Sequence, residues 1–150
     1  MGLDMYLYAR GFASQYYDPC GLHEQIKPLL QNLPGEDTYY IQKQVAYWRK
    51  ANQIHAWFVD NVQNGVDECQ DSYVDREQLQ VLRTLCVELL GSRDVERAKE
   101  QLPPRQGFFF GGYEIDEYYW EDLQDTVNQL TPVLTNPNLE HFDFIYHSSW

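Results

Sequence analysis

The groups best placed to do chemistry lie in the last third of the chain. After Arg105 there is no Lys or Arg. Glu114, Asp116, Glu117, Glu121, Asp122, Asp125, Glu140 and Asp143 follow, so −8 of the formal net charge of −12 falls beyond that residue. Tyr113, Tyr118, Tyr119 and Trp120 are interleaved with these acids. Rings beside carboxylates suit a surface that grips a basic protein patch, the rings anchoring and the charges steering. Such a surface also imitates a nucleic-acid backbone. Tyr113, Glu114, Glu117, Tyr118, Trp120, Glu121 and Asp122 are therefore the candidate partner-binding residues. The same acids also favour a helix N-terminus and solubility, so a purely solvated face stays open as the alternative.

A second set is Trp48, Arg49, Asn52 and His55: Trp48, Asn52 and His55 read as part of one helix stripe, and Arg49, Asn52 and His55 follow at three-residue spacing. Inward-facing polar groups need partners. An Arg, Asn and His together can hold a phosphate or carboxylate, which makes this set a candidate ligand pocket; alternatively Asn52 and His55 bond a loop backbone and fix packing. His141, Asp143 and His147 share a strand face, but too few ligands sit close together for a metal. The run from Asp60 to Asp71 imitates a calcium loop, yet Val62 stands where an oxygen ligand is required, and the calcium reading fails. The segment Gly107 to Gly112 lacks the lysine of a phosphate loop, and no Gly-x-Ser-x-Gly elbow exists. No residue set assigns catalysis, and neither a cofactor nor a metal is expected.

The chain has 150 residues, of which 43% are hydrophobic and 15% aromatic. That is enough apolar material for one core without disulfides or metals, and too aromatic for a disordered chain. An acidic balance of 23 Asp and Glu against 11 Lys and Arg speaks against direct nucleic-acid or anionic-membrane binding. No apolar run approaches a membrane span. The opening MGLDMYLYAR has Asp4 inside its apolar stretch and no basic region before it, unlike a signal peptide. Cys20, Cys69 and Cys86 are odd in number and unpaired by spacing, consistent with reduced thiols in a cytoplasm.

These residues are carried by elements of two periods. Leu3, Met5 and Leu7 alternate with Asp4, Tyr6 and Tyr8, which predicts a strand over Leu3–Ala9. Leu22–Leu30 can hold a short helix interrupted at Pro28. Ile41, Val45, Trp48, Asn52, His55, Val59 and Val62 step by three and four, which predicts a long helix from about Tyr40 to Val62. Asp75 and Gln78 form a capping-box signature ahead of a helix that Gly91 is suited to end. A short helix over Val95–Gln101 follows. Gly107–Tyr113 reads as extended and partly buried. Asp116 caps a fourth helix, with Ile115 and Trp120 as a hydrophobic staple and Pro132 as a kink or stop. Phe142, Phe144 and Tyr146 alternate with Asp143, Ile145 and His147 in a closing strand. The expected architecture is a single α+β domain, helix-rich, with N- and C-terminal strands in one small antiparallel sheet.

The opening Met1–Leu7, the segment Tyr47–His55, Gly107–Gly111, Tyr113–Tyr118 and the closing Tyr146–Trp150 resemble a group of uncharacterised bacteriophage and prophage proteins. The resemblance runs end to end. It implies a small phage-type accessory protein in a bacterial cytoplasm and no particular activity. With the acidic third, it leads to an expected function of binding a host macromolecule, a host protein by the charge argument, with inhibition as one consequence. A pocket protein or enzyme built on Arg49, Asn52 and His55 is one alternative. A virion or assembly component, recognisable as a homo-oligomer, is the other.

Overall fold

The computed structural model describes residues 2–107 and 110–150. The alternation at the N-terminus produces strand β1, Asp4–Ser14. Leu3, Met5, Leu7 and Ala9 are at most 1% exposed and point into the core, while Asp4, Tyr6, Tyr8 and Arg10 are half-buried on the other face. The closing strand runs over Asp143–Ser149 and pairs antiparallel with β1, from Asp4 opposite Ser149 to Arg10 opposite Asp143. The two terminal strands thus lie side by side at the centre of a four-stranded sheet. In chain order β2 is Thr38–Arg49, β3 is Ser72–Val74 and the closing strand is β4; across the sheet they run β2-β1-β4-β3.

The long helix expected from Tyr40 to Val62 is not formed. Residues 38–49 are β2 instead, and helix α2 begins only at Asn52. Aromatic and β-branched residues such as Tyr39, Tyr40, Ile41, Val45, Tyr47 and Trp48 favour the extended state. A β-bulge supplies the reason that their alternation was hidden. Leu7 pairs with Ala46 but Tyr8 pairs with Gln44, leaving Val45 as the extra residue. One inserted residue shifts the two-residue period, so that Ile41, Val45 and Trp48 fall at helical spacing by coincidence. Lys50, at φ 62, then turns the chain into α2.

Helices α2 (Asn52–Asn61), α3 (Arg76–Ser92), α4 (Val95–Gln101) and α5 (Glu117–Thr135) follow α1, Leu22–Leu30. Both expected caps are present. Gln78 Oε1 accepts from the Asp75 N–H at 2.9 Å, and Asp116 Oδ1 accepts from the Tyr119 N–H at 3.2 Å. Three expected stops differ. α3 passes Gly91 and ends at Arg93, which takes the left-handed conformation (φ 48) in its place. α1 runs through Pro28. α5 runs through the exposed Pro132, where the Thr131 and Thr135 hydroxyls donate to the Val127 and Thr131 carbonyls around the proline. In the core, the Phe58 and Tyr146 rings stack with centroids 3.9 Å apart. Cys86 is fully buried, which pushes its thiol up to about 12.

α5 is tied to β2 at two levels. Trp48 Nε1 donates to Thr126 Oγ1 at 2.9 Å inside the core. At the sheet's edge, Gln129 Oε1 accepts from the Tyr47 N–H at 2.7 Å and Gln129 Nε2 donates to the Tyr47 carbonyl at 2.9 Å. One amide side chain thus takes the place of a neighbouring strand. Gln129→Ala is expected to cost about 1 kcal/mol and to speed hydrogen exchange at the Tyr47 amide; unchanged exchange there would refute the role.

Candidate functional site

The turn at Lys50 puts the end of β2 and the start of α2 beneath the segment that leads into α5. Asn52, 2% exposed, holds that segment down. Its Nδ2 donates to the carbonyls of Phe110 (2.8 Å) and Gly112 (2.6 Å), and its Oδ1 accepts from the Arg105 N–H at 3.0 Å. Between them Gly111 takes φ 79, and a Cβ there would come within 3.2 Å of Lys50 Cβ. A side chain at this position would be strained and crowded at once. The extended reading of Gly107–Tyr113 falls partly on Phe108 and Phe109, which lie outside the described residues. Phe110 is buried beside His55, and Gly112 and Tyr113 are exposed.

Above this clamp opens a cleft of about 300 Å³. Arg49, Lys50, Asn52 and Gln53 line it from β2 and α2; Glu114, Asp116, Tyr118, Tyr119 and Asp122 line it from the acidic side. Members of both expected sets therefore share one site. Arg49 bonds Asp4 through Nη1 at 3.0 Å, and Tyr47 Oη donates to the same carboxylate. Asp122 accepts from Gln53 Nε2 at 3.0 Å. Burial raises the Asp122 carboxyl to about 6; the Gln53 bond opposes this, and Asp125, Glu121 and Asp116 add to it. Among the described residues no cationic side chain pairs with Asp122.

The remaining expected residues divide. Tyr113 (59% exposed) and Tyr118 (75% exposed) stand in solvent, as do Glu114, Glu117 and Glu121. Glu117 is engaged by a two-pronged contact from Arg93, 3.1 Å on each oxygen. Trp120 is not part of any exposed surface. It is 6% exposed, packed in the core under the Arg93 guanidinium, because its place one turn into α5 faces inward.

Trp48 is likewise core, at 3% exposed. His55 is fully buried and does not reach the cleft. Its Nδ1 lies 2.7 Å from the Tyr146 hydroxyl and its Nε2 2.9 Å from Asp67 Oδ2, while Asp67 Oδ1 accepts from Trp150 Nε1 at 3.1 Å. Burial lowers the imidazole's pKa, Asp67 opposing. A neutral ring fits both contacts: Nε2–H donates to the carboxylate and Nδ1 accepts from Tyr146. Asp67 is the residue sequence reasoning missed. Its only visible signal is that it lies in an acidic loop just after the helix that carries His55.

The acids of that loop do not converge. Asp60 pairs with Arg105 at 2.9 Å and Asp71 lies 2.9 Å from His147 Nδ1. Among the described residues no three His, Cys, Asp or Glu side chains gather as for a metal ion, and no helix is long and apolar enough to cross a membrane. No family model, curated protein or solved structure matches the chain.

Proposed function

We propose that the protein is a binding module that engages a basic segment of a partner protein with the acidic start of α5, admitting one cationic side chain to the cleft. The observation that carries this is Asp122, a carboxylate held half-buried without a cation. Its desolvation is offset only by a neutral amide donor, so an incoming ammonium or guanidinium gains what the fold withholds. Glu114 and Asp116 line the same cleft, and Tyr118 offers an exposed ring at its rim. The resemblance to bacteriophage proteins supports a host protein as the partner. On the opposite wall Lys50, beside the paired Arg49, favours a second reading, a small zwitterionic ligand.

The test is fluorescence anisotropy with short arginine- and lysine-bearing peptides, against a glutamine-substituted control. Binding is expected to weaken with salt and as the pH falls through about 6, where Asp122 takes up a proton. Asp122→Asn should lose about tenfold or more, the scale of a charged hydrogen bond, while Tm stays level or rises, because a poorly solvated charge is removed. The fourfold variant Glu114→Gln, Glu117→Gln, Glu121→Gln, Asp122→Asn should abolish binding with the fold intact. Equal affinity of the wild type and Asp122→Asn would sink the proposal. A small mass retained by the purified protein in native mass spectrometry would favour the second reading.

A further inference from the structure

We infer that β2 is a self-pairing edge, through which two copies of this chain join antiparallel about a two-fold axis at Tyr40 to form one continuous eight-stranded sheet. The observations begin with which backbone groups of β2 face outward. At one end the Tyr47 N–H and C=O point away from β1, since Gln129 holds both. At the other, the Gln15 N–H bonds the Asp37 carbonyl, and the N–H of Ser14 is taken by the Tyr17 carbonyl. That makes Ser14 and Thr38 a pair that is not bonded to each other, so Thr38 also faces outward. Alternation across the register then turns Tyr40, Gln42 and Gln44 to the open side. Among the described residues nothing accepts from or donates to these three backbones.

The fold closes this edge where it needs to and leaves the rest. Gln129 and the bulge at Val45 cover residues 45–47, two common ways of blunting an edge. Residues 38–44 have neither. This stretch also projects, because the pairing of β4 with β1 stops at Arg10, so Gly11–Ser14 and Thr38–Ile41 form an arm beyond the sheet's centre. On the arm itself the Tyr40 ring is 69% exposed.

Charge complementarity selects a second copy as the occupant. Lys43 on an edge strand ordinarily repels a neighbour. Centred on Tyr40, however, the antiparallel register sets Tyr40 against Tyr40, Thr38 against Gln42, Tyr39 against Ile41 and Asp37 against Lys43. The bonded positions are the outward-facing residues on both strands, as an antiparallel ladder requires; the Thr38 N–H already donates to the Glu36 carbonyl at 2.9 Å, so each Thr38–Gln42 pair is joined through the Gln42 N–H and the Thr38 carbonyl. Asp37 and Lys43 meet twice, on one face and in the closer, non-bonded type of pair. Of the net charge of −12, −8 lies beyond Arg105 and so outside β2.

Sedimentation equilibrium across micromolar concentrations tests the inference. The wild type is expected to dimerise. Gln42→Pro removes an outward N–H without touching the ladder to β1 and should leave a monomer. Lys43→Asp should weaken the dimer about tenfold or more, and the double exchange Asp37→Lys with Lys43→Asp should restore it. Circular dichroism confirms folding, and Lys43, being exposed, keeps the test usable if the proline variant fails to fold. A wild-type monomer, a dimer indifferent to both single variants, or a double exchange that does not rescue would each overturn it. An edge that instead captures an unrelated extended peptide while the protein stays monomeric would do the same.

Discussion

Asn52→Ala lowers stability by about 3 kcal/mol, because one side chain serves three backbone groups and its removal breaks all three bonds at once. The Asn52 bond to the Phe110 carbonyl is buried, and leaving that carbonyl unmet costs more than a hydrogen bond returns when it forms, while the bonds to the Gly112 carbonyl and the Arg105 N–H are part-buried and add a smaller loss. In a chain of 150 residues that loss is a large share of a typical total and moves Tm by about 6–12 °C. Asn52→Asp should be no better. Its carboxylate still accepts from Arg105 but turns a negative charge towards two carbonyl oxygens. The variants also separate the clamp from the core. Limited proteolysis should open first within residues 103–115, at temperatures where the rest of the chain is still protected, and peptide binding at the cleft should fall with it. A change below about 1 kcal/mol, the scale of a single hydrogen bond, with no new cleavage, would show that the segment is held by something else.

That Asn52 acts on a loop follows from its residue type and its inward position. Which loop it holds does not. Arg105 and Gly112 are far from it in sequence, and nothing local to Asn52 encodes their approach. The same divide runs through the fold. The terminal strands and the caps at Asp75 and Asp116 are local patterns, and the structure contains them; of the inner face Val81, Leu82, Leu85, Cys86, Leu89 and Leu90 that the spacing predicts for α3, Leu82, Cys86 and Leu89 are buried while Val81 is exposed and Leu79 takes its place. β2 is local too, but one inserted residue at Val45 gave Ile41, Val45 and Trp48 the spacing of a helix. Composition was the better guide there: Thr38 to Trp48 is rich in strand formers, and periodicity alone outweighed that. Trp120 shows the complementary error. An aromatic among acids looks like a surface anchor, yet its place one turn after the cap points it inward. The cleft joins Arg49 to Asp122, which are far apart in sequence, so the two expected sets could be found separately and not as one site.

His55→Leu should cost about 3 kcal/mol or more, since it leaves the buried Tyr146 hydroxyl and one oxygen of the half-buried Asp67 carboxylate without a partner. Its more specific consequence is in the dependence of stability on pH. Burial lowers the folded-state pKa of His55 below that of the unfolded chain. The unfolded state therefore binds the proton more readily, and stability is lost as the pH falls from the ordinary histidine range towards the lowered value. Asp122 works in the opposite direction. Its carboxyl is raised to about 6 from 3.8, so the folded state takes up the proton first and gains stability over that interval as the pH falls. The wild-type profile between about pH 7 and pH 5 is the difference of the two. Asp122→Asn should uncover the histidine and steepen the acid-side loss, and His55→Leu should remove that loss from a lower starting stability. Tyr146→Phe deletes only the hydroxyl that His55 accepts from and should cost about 1–3 kcal/mol. Thermal unfolding of these variants across the range decides the matter: if the slope is the same with and without His55, the hydrogen-bonded chain from Tyr146 through His55 and Asp67 to Trp150 does not govern the acid response.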